Sequence, residues 1–237
     1  MSLIYINPYT FAAAAAGIVT SGLVLNLDAG DAASYPGSGS TWTDLTVNGN
    51  DGTLNGNPTY TYSDGGAIVF DGSNDYVALG GPASLNNQYA THEIWVKFDN
   101  ATGGVFYNII SRSNTSPGTF NMLKTNTNVY IFNTRNSSNS IVQVTLSTAP
   151  VSSWTQLVHS YDGTTVRTYV NGVADNTSTS ISGPLNTSGA FDMKIATNNS
   201  PANYLDGNIS VVRAYNRALT AAEVTQNFNA IKSRYGL

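Results

Sequence analysis

The chain has 237 residues, 41% of them hydrophobic, and no cysteine, so neither a disulfide framework nor a thiolate metal site exists. Its 10 basic residues are scattered among 14 acidic ones, and the net charge of -4 argues against nucleic acid, which is bound mainly through clustered Lys and Arg. Only 10% of residues are charged, well below the roughly 25% usual for soluble domains, so Asn, Ser, Thr and Gly carry the solubility.

Residues 1–21 lack the turn punctuation of the rest and contain no charge. The apolar run from Phe11 to Val19 is shorter than the about 20 residues a membrane span needs. It also has no Lys or Arg in front of it, as a secretion signal would. Residues 1–21 read as an arm ahead of one domain, 22–237. An uncharged apolar arm must bury something: its own domain, other copies in a homo-oligomer such as a trimer, or a larger particle.

From Gly22 onward, short alternating runs separated by Gly, Asn, Asp, Ser and Pro predict an antiparallel sandwich. The expected strands are 23–28, 67–70, 75–79, 91–98, 106–112, 119–123, 128–133, 140–146, 154–161, 165–170, 191–196 and 206–215. The Gly/Asn cluster from Val47 to Gly52 reads as a turn and not as a phosphate loop, because no helix pattern or Lys-Ser/Thr follows it. Trp42, beside that turn, is either an edge-packing residue or a platform for a sugar.

The stretch from Trp154 to Val173 is the clearest signal. Trp154, Gln156, Val158 and Ser160 share one face, while Thr155, Leu157, His159 and Tyr161 share the other. Asp162-Gly163 breaks this strand. A second strand ends at Asn171-Gly172, a dipeptide suited to a type I′ hairpin, and Val173 starts the return. At the C-terminus, Thr220 and Glu223 form a capping box, and Val224, Phe228, Ile231 and Tyr235 recur on one helical face. Lys232 and Arg234 suit the negative end of that helix, which is expected to plug one edge of the sandwich.

A tryptophan opening a strand, an aromatic-Asp-Gly turn and an arginine-containing strand ending in Tyr-Val-Asn-Gly resemble the laminin-G-like family of concanavalin A-like jelly rolls. Val69 to Val77 is similar to that family's early hairpin, and Leu205 to Thr220 to its closing strand. The resemblance covers roughly residues 22 to 231 and implies an all-β, two-sheet jelly roll with a short C-terminal helix. It also implies that Trp95 and Trp154 pack between the sheets. Members of this kind often hold a structural calcium ion between first strand, early hairpin and closing strand, which would engage Asp28, Asp71, Asp75 and Asp206. The acidic residues that related proteins use for a second calcium are replaced here by Asn114, Asn198, Asn199 and Asn203.

In the family's topology the loop after Arg112 and the loop 197–204 lie together at the rim of the curved sheet. Asn114, Asn198, Asn199 and Asn203 would supply amides matching sugar hydroxyls there, with Arg112 beside them and Tyr107 or Tyr204 as a stacking face. The same residues also read as ordinary turn formers. Glucanases of the related type need paired carboxylates on one strand face, in a Glu-x-Asp-x-Glu pattern. The chain has only Glu93 and Glu223, and no Asp lies two residues from Glu93. His92 and His159 fall in strands among apolar neighbours and read as sheet or core residues.

The combined expectation is a non-catalytic, virion-displayed structural or decoration protein with a lectin-like head that adheres to glycans. Its Leu-Asp-Ala-Gly opening and Asn/Thr-rich body look like family members found on bacteriophage particles. Capsid or tail proteins would then hold residues 1–21, at the virion surface outside the cell. The alternatives are a secreted carbohydrate-binding module and, more remotely, a glycoside hydrolase relative.

Overall fold

The computed structural model describes residues 16–99, 106–113, 120–146, 152–187, 192–198 and 203–237. Sixteen strands among them pair antiparallel into two eight-stranded sheets. The first sheet contains β1 (Leu23–Asp28), β4 (Thr59–Thr61), β5 (Ala67–Asp71), β7 (Ala90–Phe98), β12 (Thr155–Tyr161), β13 (Val166–Val170), β14 (Val173–Ser178) and β16 (Asp206–Tyr215). The second contains β2 (Thr41–Trp42), β3 (Gly52–Asn55), β6 (Tyr76–Gly80), β8 (Tyr107–Ser113), β9 (Phe120–Lys124), β10 (Tyr130–Arg135), β11 (Ile141–Thr145) and β15 (Asp192–Ile195). The order β14-β13-β12-β7-β16-β5-β4 in the first sheet places strands distant in sequence side by side, with β1 also on β16. This is the expected all-β jelly roll with one short helix.

Alternation in each strand decides what meets between the sheets. Ile94, Val96 and Phe98 of β7, Leu157 of β12 and Ile209 and Val212 of β16 face Met122, Tyr130, Phe132 and Ile195 of the opposite sheet in one continuous core. Trp42 is fully buried in this core, so packing is its role and it offers no sugar platform. At Asn171-Gly172 both residues have positive φ, 50° and 76°, as the hairpin requires. Gly172 has a second constraint, since a Cβ there would lie 2.9 Å from Phe228.

That contact shows where the helix goes. Helix α1 (Ala221–Ile231) has the expected capping box of Thr220 and Glu223, but it lies across the outer face of the first sheet and not at an edge. Trp95 stacks on Phe228 and on Tyr235, with centroids 5.6 and 4.3 Å apart, and Trp154 meets Tyr235 at 4.9 Å. Trp95 and Trp154 are therefore buried under the helix and not between the sheets. Their neighbours Ile94, Val96 and Leu157 take the inner positions, and alternation sends the tryptophans outward.

The outer layer is also polar at its centre. Glu93 is completely buried, and its carboxylate accepts from Arg213 Nη1 (3.1 Å), Gln156 Nε2 (2.9 Å), Trp95 Nε1 (3.2 Å) and Asn227 Nδ2 (2.7 Å). Asn227 Oδ1 in turn accepts from the backbone N–H of Val19 (2.8 Å), whose carbonyl accepts from the Tyr215 hydroxyl (3.1 Å). Gln226 donates to Gly17 O and Arg217 to Ser21 O. Residues 17–21, expected to belong to the arm, are thus bonded to the domain. Residues 1–15 lie outside the described residues.

The two histidines occupy the inner face. His92 and His159 are opposite each other on β7 and β12. His92 stacks on Phe120 at 4.1 Å, and His159 meets Thr134 Oγ1 at 2.7 Å. Burial holds both below the usual imidazole range, His159 at about 3, and for His92 the proximity of His159 and Arg112 adds to the effect. The unfolded chain takes up these protons near pH 6.5 and the folded chain does not. Stability therefore falls as pH drops below that value, by up to about 1.4 kcal/mol per pH unit for each imidazole. Thermal unfolding between pH 7 and pH 4 should show this decline, and His159→Phe should remove about half of the slope. A melting temperature independent of pH across that range would contradict the placement of the histidines.

Candidate functional site

The strand ends around the β5–β6 turn and the start of β16 form one rim of the sandwich. Tyr76, at the start of β6, and Tyr204, just before β16, are both half-buried, with ring centroids 6.4 Å apart. Lys194 of β15 lies over the Tyr76 ring, its ammonium 5.4 Å from the centroid and 3.4 Å from the Asp192 carboxylate. Asn203 is exposed at positive φ (63°), and its carbonyl accepts from the Asn108 backbone N–H at 3.0 Å. Asn198 Oδ1 is buried without a hydrogen-bond partner among the described residues. Two tyrosine rings, an ammonium group and two amides thus share this rim. Such a set can stack on a ring and hydrogen-bond hydroxyls.

Of the residues expected to bind ligand, Asn198, Asn203 and Tyr204 are here. Tyr107 lies against the same rim, close enough to Asp206 for that charge to act on its hydroxyl, but it is 4% exposed, with its ring against Phe98 and beneath the Lys124 ammonium at 5.0 Å, so it offers a ligand no free face. Arg112 is 2% exposed, and its guanidinium donates to Asn86 Oδ1 and to the Asn186 carbonyl. A register shift between Asn108 and Ile110 accompanies this inward placement in β8. Asn114 and Asn199 lie outside the described residues. Tyr76 and Lys194 were missed by the sequence reading. The signal was present in alternation, since Tyr76 and Ala78 share a face and Ala78 is the cross-strand partner of Lys194.

The four aspartates expected around a calcium ion do not converge. Asp28 pairs in register with Val211 and Asp71 with Asp206, five residues apart along β16 and thus roughly 16 Å. Asp28 is instead taken up by Arg234, at 2.6 and 3.1 Å, with Arg213 at 4.0 Å. An ion bridging Asp28, Asp71 and Asp206 does not fit this geometry. Asp71, Asp75 and Asp206 remain neighbours at the rim, joined by Asp99, whose backbone N–H meets the Asp206 carbonyl. Among the described residues no group of three or more such side chains is arranged to hold a metal. Asp206 titrates above the usual carboxylate range through burial and through repulsion by Asp99 and Asp71, and Asp75 is raised mainly by burial.

Glu93, the one glutamate in a strand, is sealed beneath α1. Glu223 caps that helix and pairs with Arg217 at 2.6 Å.

Two antiparallel sheets with a polar, aromatic rim define a lectin-type jelly roll. The chain belongs to the concanavalin A-like lectin/glucanases superfamily, whose laminin-G family model matches residues 71–225. Among solved structures it is similar to Trypanosoma rangeli sialidase in complex with the inhibitor DANA, with TM-score 0.67 and 15% identity over 90% of this chain and 33% of the sialidase. It is also similar to domain 4 of AbnA, an extracellular arabinanase from Geobacillus stearothermophilus, in complex with arabinotriose. There the TM-score is 0.64 and the identity 19%, over 87% of this chain and 98% of that domain. The botulinum neurotoxin serotype G binding domain gives TM-score 0.67 at 15% identity, over 87% of this chain and 50% of that one. The chain thus spans about a third of the sialidase and half of the neurotoxin binding domain. At these identities the likeness establishes the fold. No curated protein sequence matches the chain.

The carboxylate cluster has a measurable consequence. Because the folded state raises the Asp206 pKa, its ionisation destabilises the fold as pH rises through the carboxylate range. Asp206→Asn should therefore melt at a higher temperature than the parent at pH 7, with the gain vanishing near pH 3. A parent protein that calcium stabilises, with the effect lost in Asp206→Asn, would instead show that an ion neutralises the cluster.

Proposed function

We propose that the protein is a non-catalytic glycan-binding protein that engages sugar at the rim built from Tyr76, Lys194, Asn198, Asn203 and Tyr204. The observation that carries this reading is the partly exposed Tyr76–Tyr204 pair flanked by amides and an ammonium group. Aromatic rings take the apolar face of a sugar, while amides pair with its hydroxyls as donor and acceptor together. The arabinanase domain that shares this fold over nearly its whole length is a complex with arabinotriose, which favours the same class of ligand.

Glu93 supports the non-catalytic part, since a general acid must reach its substrate and this carboxylate is enclosed by four donors. A hydrolytic reading begins at Asp71 and Asp206, which are adjacent across β5 and β16, with Asp206 held above the usual carboxylate range by burial. Retaining glycosidases use two carboxyls about 5 Å apart, one protonated and one ionised. Hydrolysis of oligosaccharides that disappears in Asp206→Asn would decide for that second reading.

In its finer form the proposal makes the jelly roll a head displayed on a virion, with residues 1–15 docking to capsid or tail proteins or joining copies of the chain. The support is the sequence itself, which puts Ile4, Ile6, Tyr9, Phe11 and an alanine run in a segment without charge. Deleting residues 2–15 should leave the melting temperature unchanged while abolishing self-association in light scattering; a truncated protein that still associates would remove the docking role.

On a glycan array, Tyr204→Ala and Asn203→Ala should each weaken retention by about fivefold or more, with unfolding unchanged. Retention equal to the parent in both variants would move the ligand away from the rim.

A further inference from the structure

A second aromatic surface lies at the other end of β5. The turn Ser63–Gly65 joins β4 to β5, and together with the loop after β1 it encloses a cleft of about 200 Å³. Tyr35, Tyr60 and Tyr62 form its walls, and Gly30, Gly65 and Gly66 line it with backbone. Gly66 and Asp71 are five residues apart along this edge, so the cleft and the rim are separated by roughly 16 Å.

We propose that this cleft is a binding site for a single neutral sugar unit, distinct from the rim. Tyr62 is 79% exposed, a large aromatic surface held in water beside a concavity. It stands edge-on to Tyr60 at 4.7 Å, and Tyr60 lies 5.4 Å from Tyr35. Rings in mutual contact leave no space for a cation between them, so the arrangement is a stacking platform and not a cage for an ammonium ligand. None of the lining residues is charged. The nearest guanidinium, Arg234, packs behind Gly30 and Gly65 and is neutralised by Asp28. Nothing at the surface of the cleft therefore recognises an acid. The Tyr60 hydroxyl donates to Ala29 O (3.0 Å), which leaves its oxygen able to accept from a ligand hydroxyl, while the buried Tyr35 backs the Tyr60 ring and is itself tied to Gly39 O (2.9 Å). The volume is below the roughly 300 Å³ at which pockets for drug-sized ligands begin, and suits one ring.

The platform is also held in place before any ligand arrives. Asp64, inside the turn at φ 53°, accepts from Trp154 Nε1 at 2.8 Å and faces Lys97 at 3.6 Å. Ser210 Oγ donates to Gly66 O at 2.6 Å and accepts from the Tyr235 hydroxyl at 2.9 Å. Fixed walls reduce the ordering entropy that weak sugar binding must overcome.

This inference takes its ligand class from the glycan-binding reading, but the two sites report separately. The test is a two-dimensional amide NMR titration of the full chain with the methyl glycosides of glucose, galactose, mannose and arabinose, with sialic acid as the anionic control. Saturable shifts of the Tyr62, Gly65 and Gly66 amides with at least one neutral glycoside, and none with sialic acid, are expected. Tyr62→Ala should weaken that binding by about fivefold or more, while Tyr62→Phe, which keeps the ring, should stay within about twofold. Shifts confined to Asn203 and Tyr204 would support the rim and overturn the cleft. An unchanged affinity in Tyr62→Ala, or no response of the cleft amides to any neutral glycoside, would also overturn it.

Discussion

The buried ion pair of Glu93 and Arg213 is the interaction on which the outer half of the molecule depends. Both side chains are at most 2% exposed and meet at 3.1 Å, in a layer closed by α1 on one side and β7, β12 and β16 on the other. Two charges removed from water are tolerable only when their remaining hydrogen-bonding capacity is met. Here Gln156, Trp95 and Asn227 complete Glu93, while Asn26 Oδ1 accepts from Arg213 Nε at 3.0 Å. The pair therefore ties β1, β7, β12, β16 and α1 to one point. Through Asn227 it also fixes the backbone at Val19.

The same layer explains why the candidate surfaces sit where they do. With α1 across the outer face of the first sheet, that face offers a ligand nothing around Glu93, Trp95 or Val158, and the exposed chemistry is displaced to the ends of β5. At one end are the rim tyrosines and carboxylates, and at the other the tyrosine cleft. Arg234 links the cleft to the central layer, because Asp28 holds it beneath Gly30 and Gly65 and Asp28 also faces Arg213. Support from this shell fixes the walls of the proposed sugar cleft before any ligand arrives.

Much of the fold was legible because period-two alternation and turn dipeptides are local signals. Strands such as β12, β13 and β16, the Asn171-Gly172 hairpin and the Thr220–Glu223 capping box need only near neighbours to be recognised. Strands β2, β3 and β4 escaped because they are two to four residues long and lie among Gly, Asn and Pro. Alternation also could not say which face of β7 and β12 was inside. Both faces are buried, so Trp95 and Trp154 fit either side until the helix is placed. The site was less legible still. Asp28 looked like a ligand carboxylate because its partner Arg234 lies 206 positions away, and Tyr107 and Arg112 turned inward where β8 changes register. The aromatic cleft gave no pattern at all, since Tyr35 comes from the loop after β1 and Tyr60 from the three-residue strand β4.

The central claim is that Glu93 is a structural anchor whose charge is balanced by Arg213, and a double-mutant cycle in denaturant unfolding tests it most directly. Glu93→Met and Arg213→Met should each destabilise the protein by about 3–5 kcal/mol, because each leaves an uncompensated charge or donor array in a dry layer. The double variant should recover most of that loss, giving a large coupling energy between the two positions. Single variants as stable as the parent, or losses that simply add in the double variant, would contradict the account.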